Sequence, residues 1–179
     1  MALIILDRDG VINEDSEHFV KTLEEWIPIP GSLEAMARLS QAGHRLVIAT
    51  NQSGLARGLL TLDDLNAMHQ RLRDSLASLG GQVEGIYFCP HGPADDCQCR
   101  KPRPGLLLQI RDRLQVDIAS ALAIGDSLRD LEAAWALGAS AMLVLTGKGA
   151  HTLERHADRL GTTPVYPNLS AAADAILAR

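Results

Sequence analysis

The sequence lacks the features typical of nucleic-acid-binding and membrane proteins. Its 179 residues carry a net charge of −5 and contain no block of basic residues, so the electrostatic footprint of nucleic-acid binding is missing. No apolar run approaches the roughly 20 residues that a membrane span needs. A signal peptide is not indicated either, because Asp7, Arg8 and Asp9 interrupt the first apolar run. We therefore expect a cytoplasmic protein with neither a nucleic-acid nor a membrane partner.

Cysteine is scarce, and its three occurrences are confined to one short stretch. Cys89, Cys97 and Cys99 lie close together in the sequence, with His91 among them. An odd, clustered set in a cytoplasmic chain favours metal ligation over disulfide bonds. Three thiolates and one imidazole suit the closed tetrahedral site of a structural Zn²⁺. The alternative is a set of free buried cysteines beside a surface histidine.

Strand-like and helix-like apolar patterns alternate along the chain, which predicts an α/β fold with a mainly parallel sheet. The strand-like runs lie at 2–6, 45–50, 85–89, 121–124, 141–145 and 164–166. The helical patterns lie at 32–41, 62–79, 105–114, 128–137 and 170–177. Thr61 and Ser127, each followed three residues later by Asp, predict capping boxes. No linker or repeat interrupts the pattern, so we expect a single domain over residues 1–179 with the cysteine loop at 89–101 inserted.

Two acids directly follow the first strand-like run. Asp7 and Asp9 would lie at the carboxyl edge of a parallel sheet, where open α/β sheets keep their sites. Residues i and i+2 of an extended chain point the same way, so both carboxylates can face one bound group. Adjacent carboxylates repel unless a cation or a proton separates them, which indicates Mg²⁺ with oxygen ligands. The alternative is that these acids only cap the next helix.

Polar groups also follow the later strand-like runs. Thr50 with Asn51 ends the second run, Arg100 with Lys101 follows the third, and Asp126 follows the fourth. Singly, these residues read equally well as turn formers or a solvated basic pair. Together they supply a nucleophile, a general acid, a hydroxyl and a cation at successive strand ends, which are the groups that phosphoryl chemistry needs.

In their order and spacing, Asp7-x-Asp9-Gly10, Thr50, Lys101 and Asp126-x-x-x-Asp130 resemble the four motifs of the haloacid dehalogenase superfamily. The resemblance implies a three-layer, Rossmann-like fold. It implies that Asp7 is the nucleophile, that Asp9 is the general acid and base, and that Thr50 and Lys101 bind the phosphoryl group. It also implies a Mg²⁺ ion held by Asp7, Asp126 and the backbone carbonyl of Asp9.

Longer stretches around these motifs resemble one small branch of the superfamily, whose members act on heptose bisphosphate or on histidinol phosphate. This branch lacks a large cap domain, so short loops would set specificity. A heptose bisphosphate substrate, which we favour and which belongs to the synthesis of nucleotide-activated heptose for lipopolysaccharide, would be bound by Asn13, Asn51, Gln52, Ser53, Arg57 and Arg100. Histidinol phosphate would instead use the acids Glu14, Asp15 and Glu17.

Two further expectations concern activity and assembly. Because all four motifs are complete, and because a protein that only binds a phosphorylated ligand has no need of Asp9 as a general acid, we expect an enzyme. A small-molecule sugar phosphate is the only partner that the motifs imply. We expect a monomer, because the chain is rich in neither aromatic residues nor insertions.

Overall fold

The computed structural model describes residues 1–178, which form a six-stranded parallel sheet between two layers of helices. The strands are β1 Leu3–Leu6, β2 Arg45–Asn51, β3 Gly85–Cys89, β4 Leu122–Gly125, β5 Ser140–Val144 and β6 Val165–Tyr166. The helices are α1 Ser32–Gln41, α2 Leu62–Ser78, α3 Gly105–Leu114, α4 Leu128–Trp135, α5 Gly149–Leu160 and α6 Leu169–Leu177, with a 3₁₀ turn at Ile118–Ser120. The spatial order is β3-β2-β1-β4-β5-β6.

Alternation along β1 divides the apolar core between the two faces of the sheet. Ile4 and Leu6 pack with apolar residues of α1, α2 and α6, whereas Leu3 and Ile5 pack with those of α3, α4 and α5. All four β1 residues are buried, as expected of a central strand in a parallel sheet covered on both faces. The predicted α/β fold of three layers is confirmed.

The register of the sheet sets where the polar strand ends meet. Leu6 pairs with Ile48 on one side and with Ile124 on the other. β1 ends at Leu6 and β4 at Gly125, whereas β2 continues to Asn51, so Asp7, Asp126 and the last residues of β2 lie at one carboxyl edge of the sheet. The chain passes from β1 to β2 and β3 on one side of the sheet, and then continues with β4, β5 and β6 on the other side of β1. Where the direction of strand addition changes in this way, the connecting segments diverge and leave a crevice in which such folds bind ligands.

The predicted elements agree with the structure apart from end residues and one helix. Both capping boxes are present, at Thr61 with Asp64 and at Ser127 with Asp130. Helix α5 was not predicted, because its apolar residues are few and its backbone leaves helical geometry at His156. None of the described helices is long and apolar enough to cross a membrane.

Candidate active site

Asp7 lies at the carboxyl end of β1 and is 7% exposed. Its Oδ1 accepts a hydrogen bond from the Arg8 amide at 2.8 Å and forms an ion pair with Lys101 Nζ at 3.0 Å. Burial and the charge of Asp130 raise the pKa of Asp7 to about 6, although Lys101 acts in the opposite direction. The predicted nucleophile is therefore a buried carboxylate with one strong cationic partner.

Lys101 lies beneath Asp7 and is held from several sides. Its Nζ is 2.7 Å from Asp130 Oδ1 and donates to the carbonyl oxygen of Ala49 at 2.7 Å. The side chain of Asn51 accepts from the Lys101 amide at 3.0 Å and donates to its carbonyl oxygen at 3.1 Å. Burial acts to lower the pKa of Lys101, but Asp130 and Asp7 outweigh it and raise the value. The ammonium group is thus charged and fixed.

Asp7, Asp126 and Asp130 bring three buried carboxylates within 4.8 Å of one another, and with Lys101 we call them the acid cluster. Burial and repulsion from Asp130 and Asp7 raise the pKa of Asp126 to about 8. Lys101 offsets only part of this negative charge. Asp130 is already engaged by Lys101 and by the hydroxyl of Ser127. The oxygens of Asp7 and Asp126 therefore suit a hard divalent cation such as Mg²⁺.

Two glycines allow Asp126 to approach the loop after β1. Gly10 has a φ of 87°, and a Cβ there would come within 2.1 Å of Asp126 Oδ2. A Cβ on Gly147 would come within 2.2 Å of the same oxygen. The amide of Lys148 donates to this oxygen at 2.7 Å, which fixes its position. The loop after β5 is thus part of the site, although its sequence gave only a weak signal.

Asp9 has surroundings opposite to those of Asp7. Its Oδ1 accepts from Arg8 Nε at 2.9 Å, from Arg8 Nη2 at 2.7 Å and from Asn13 Nδ2 at 2.8 Å. Its Oδ2 accepts from Gln52 Nε2 at 2.8 Å, and the same Nε2 donates to Thr50 Oγ1 at 3.0 Å. Burial acts to raise the pKa of Asp9, but Arg8, Asn13 and Gln52 lower it. Two carboxylates two residues apart therefore have pKa values shifted in opposite directions.

A cavity of about 370 Å³ opens above Asp7 and Asp9. It is also lined by the predicted site residues Thr50, Asn51, Gln52, Ser53, Arg57 and Arg100. Its remaining lining includes Asp15, Phe19, Arg129 and Lys148. The structure thus brings most of the predicted catalytic and binding residues to one cavity.

Three arginines line this cavity, and we call Arg57, Arg100 and Arg129 the arginine rim. No acidic side chain of the described residues forms an ion pair with any of them, whereas Lys148 pairs with Asp15. The guanidinium carbon of Arg57 lies 5.4 Å from the centroid of the Phe19 ring. Burial lowers the pKa of Arg100, and the charges of Arg129 and Arg57 lower it further. An anion at the rim would relieve this repulsion.

Cys89, His91, Cys97 and Cys99 bring their ligand atoms together. Cys89 Sγ lies 3.6 Å from Cys97 Sγ and 3.1 Å from Cys99 Sγ, and His91 Nδ1 lies 3.3 Å from Cys99 Sγ. A tetrahedral zinc site with metal–sulfur bonds of about 2.3 Å places its ligand atoms at comparable separations. The donor set and its spacing therefore fit Zn²⁺.

Two of the predicted substrate contacts have other roles in the structure. Asn13 is fully buried and does not line the cavity, and its amide donates to Asp9 and to the carbonyl of Glu14, so the structure places it as a support of Asp9. Asn51 lines the cavity, but its amide is used to hold the backbone of Lys101. Of the acids predicted to bind histidinol phosphate, Asp15 and Glu17 line the cavity and Glu14 does not.

Arg8, Arg129 and Lys148 were not identified as site residues from the sequence. Arg8 is completely buried, which its place between two acids does not predict. Arg129 directly precedes Asp130 at the start of α4, in the first helical turn after β4. Because the first turn of such a helix faces the crevice, its position after Asp126 could have marked it as a site residue.

Comparisons with known proteins agree with this geometry. Residues 98–172 match the family profile described as HAD-hydrolase-like, and residues 3–129 match that of the polynucleotide kinase 3 phosphatases. The D-glycero-β-D-manno-heptose-1,7-bisphosphate 7-phosphatase of Pseudomonas putida is 53% identical over 97% of this chain and 98% of its own. That of Escherichia coli K12 is 38% identical over 97% of this chain and 87% of its own.

Solved structures are similar over the whole chain. The crystal structure of D,D-heptose 1,7-bisphosphate phosphatase from Bordetella bronchiseptica, complexed with magnesium and phosphate, has a TM-score of 0.93. It is 52% identical and covers 99% of both chains. The corresponding enzyme from Burkholderia thailandensis has a TM-score of 0.75 at 40% identity and covers 100% of both chains.

Proposed function

Because the chain belongs to the haloacid dehalogenase-like phosphatases, we propose that it removes the 7-phosphate of D-glycero-β-D-manno-heptose 1,7-bisphosphate and leaves the 1-phosphate in place. The observation that carries this proposal is the arginine rim above Asp7. Asp7 attacks one phosphate, and Arg57 and Arg100, which form no ion pair with a carboxylate of the described residues, are available to a second anionic group in the same cavity. Arg129 lines the cavity too, and burial acts to lower its pKa, but the charges of Asp130, Asp7 and Asp126 outweigh burial and raise the value. The names of the similar proteins support the identity of the sugar and its β anomer.

Asp7 is the nucleophile of the first step. One of its oxygens attacks phosphorus, the bond from phosphorus to the C7 oxygen breaks, and its electron pair stays on the leaving oxygen. Asp9, which must carry a proton for this step although its surroundings lower its pKa, gives that proton to the leaving oxygen, and a phosphoryl group remains on Asp7. Thr50, which lines the cavity, donates to a phosphoryl oxygen as the trigonal transition state forms, while the charge of Lys101, held against Asp7, offsets the negative charge that develops there.

Asp9 then reverses its role. It takes a proton from a water molecule, the water oxygen bonds to phosphorus, and the bond between phosphorus and Asp7 breaks. Phosphate leaves, Asp7 is again a carboxylate and Asp9 is again protonated. Four hydrogen bonds orient Asp9 for both transfers, while the buried pair of Asp7 and Lys101 stays in place.

Asp7, Asp126 and the Asp9 backbone carbonyl are the residues that would hold Mg²⁺, which when bound offsets the charge of the phosphoryl oxygens. The unbalanced acid cluster and the raised pKa values of Asp7 and Asp126 support this assignment. Asp130 does not serve as a ligand. Its carboxylate caps α4 and holds Lys101.

Cys89, His91, Cys97 and Cys99 are the residues that would hold a structural Zn²⁺ in the cysteine loop. All four ligand positions are filled by protein, so this metal organises the loop and does no chemistry. The consequence for the site follows from the chain order, because Arg100 and Lys101 come directly after Cys99. Arg100 also donates to the carbonyl oxygen of His91 at 3.3 Å. Zinc thereby fixes one residue of the arginine rim and the cation of the acid cluster.

The wider assignments follow from the substrate. We propose that the enzyme acts in the cytoplasm, in the synthesis of the nucleotide-activated heptose used for lipopolysaccharide. We assign the enzyme as a monomer with a single domain. Gln52 and Ser53, which line the cavity, contact the sugar between the two phosphates.

The proposal is tested by phosphate release, with Mg²⁺ present, from the heptose bisphosphate and from L-histidinol phosphate side by side. We expect a strong preference for the bisphosphate and a product that retains its 1-phosphate. Histidinol phosphate carries an amine at its far end, which the arginine rim would repel. A preference for histidinol phosphate would overturn the proposal and make Asp15 and Glu17 the residues that select the substrate.

A further inference from the structure

Arg8 is a charged side chain with no exposed surface, and it lies between the two reacting acids in the sequence. It does not line the cavity, so it cannot touch a bound substrate. Its Nε and Nη2 both donate to the same oxygen of Asp9, at 2.9 and 2.7 Å. A guanidinium that is removed from water needs such partners, and here it finds its anion in Asp9.

The other side of the Arg8 guanidinium meets a buried histidine. Arg8 Nη1 lies 3.4 Å from Nε2 of His69, which belongs to α2 and is 7% exposed. Arginine can only donate, so Nε2 must accept and the ring must carry its single proton on Nδ1. The ring of His69 packs against Phe88, with centroids 6.1 Å apart. Helix α2 thus supports the Arg8 guanidinium on the side away from Asp9.

These contacts distinguish the two oxygens of Asp9. Oδ1 is occupied by Arg8 and by Asn13, both of which are fully buried. Oδ2 meets only Gln52, at the wall of the cavity. The carboxylate therefore has one anchored oxygen and one that is free to exchange a proton with the substrate. A small displacement of the Asp9 carboxylate would lower the rate of proton transfer, because the transfer depends on where the carboxylate lies.

We propose that Arg8, supported by His69, is a positioning residue that anchors Oδ1 of Asp9 and so presents Oδ2 to the leaving oxygen. The inference rests on the proposed function, in which Asp9 protonates the leaving group. It assigns a role in catalysis to His69, a residue of α2 that touches no part of the cavity lining named above.

The test uses two substrates that differ in their need for an acid. The leaving alkoxide of the heptose bisphosphate requires a proton, whereas the p-nitrophenolate of p-nitrophenyl phosphate leaves without one. The value of kcat/KM reports on steps up to phosphoryl transfer to Asp7, so the later hydrolysis does not obscure the comparison. Loss of positioning lowers kcat/KM for the bisphosphate alone, whereas a general structural defect lowers both values.

We expect Arg8→Met to lower kcat/KM for the bisphosphate about 30-fold or more and for p-nitrophenyl phosphate less than about threefold. His69→Leu, which removes the acceptor without adding charge, should show the same asymmetry at about tenfold. His69→Gln, whose amide oxygen can accept from Arg8, should restore nearly full activity. Met68→Leu, at a buried position of the same helix, is the matched control and should change neither value.

Asp9→Asn separates this inference from the proposed function. If Asp9→Asn lowers kcat/KM equally for both substrates, Asp9 is not the general acid and the proposed function fails. If Asp9→Asn shows the asymmetry and the folded His69→Leu protein does not, the proposed function stands and the positioning role is overturned. Equal losses on both substrates in Arg8→Met, without rescue in His69→Gln, would also overturn it.

Discussion

The acid cluster and the arginine rim meet at one cavity, which Asp7 and the three arginines line, and they are built in different ways. The acid cluster is buried and is assembled from strand ends and the start of α4, with an excess of negative charge. The arginine rim is carried by three separate segments and has an excess of positive charge. The sheet register fixes the first region, while loops and a helical first turn set the second. A phosphatase can therefore keep its chemistry while its substrate changes.

The largest effect is expected at the acid cluster. Asp7→Asn should abolish turnover, by about 10⁴-fold or more, because the nucleophile is lost. Phosphate release from the bisphosphate measures this. An unchanged circular dichroism spectrum serves as the control for folding. Appreciable residual activity would contradict the nucleophilic role of Asp7.

Loss of zinc should affect both regions, because Arg100 and Lys101 follow Cys99 directly. Cys99→Ser is expected to lower kcat/KM about 10–100-fold and to lower the melting temperature, as loss of a supporting contact at a metal site does. Metal content by mass spectrometry and activity are measured on the same samples. Full activity of the zinc-free protein in the presence of Mg²⁺ would contradict the proposal that zinc fixes Arg100 and Lys101.

A change at the arginine rim should be smaller and selective. Arg57→Gln is expected to raise KM for the bisphosphate about tenfold, the scale of one lost charge-assisted hydrogen bond, and to leave kcat nearly unchanged. Activity toward p-nitrophenyl phosphate, which lacks a second phosphate, should not change. Arg45→Gln is the matched control, because Arg45 pairs with Glu84 at the start of β2 and does not line the main cavity. Equal losses on both substrates would remove the distinction between rim and cluster.

The smallest effect concerns stability and pH. Burial and the charge of Arg8 lower the pKa of His69 to about 3, so the folded protein does not bind the proton that the unfolded chain takes up near pH 6.5. Unfolding therefore binds protons, and His69 makes stability fall as pH drops below about 6.5. Between pH 7.5 and 5.5 the free energy of unfolding should fall by about 1.4 kcal/mol through this group.

Urea titrations at both pH values measure this contribution. His69→Gln should lose that part of the pH dependence and keep the remainder. An identical pH dependence in the wild type and the variant would show that His69 does not stay neutral in the folded protein.

The sequence predicted the acid cluster better than the rim for a physical reason. Asp7, Thr50 and Asp126 follow apolar strands, and parallel strands bring their ends together whatever the loops do. Arg129 is separated from Asp126 by the start of a helix. Asn13 lies in an irregular stretch, where no periodic pattern indicates which way a side chain points. Arg8 is buried between Asp9 and His69, and the second contact joins residues 61 positions apart, which sequence patterns do not reveal.

The measurement that tests the central claim most directly uses Asp9→Asn with p-nitrophenyl phosphate. The account predicts that the phosphoryl group transfers to Asp7 without an acid, and that the missing base then stalls its hydrolysis. A burst of one equivalent of p-nitrophenolate should appear, and after acid quenching the peptide containing Asp7 should carry one phosphoryl group. Steady turnover without a burst, or a phosphoryl group on another residue, would contradict the account.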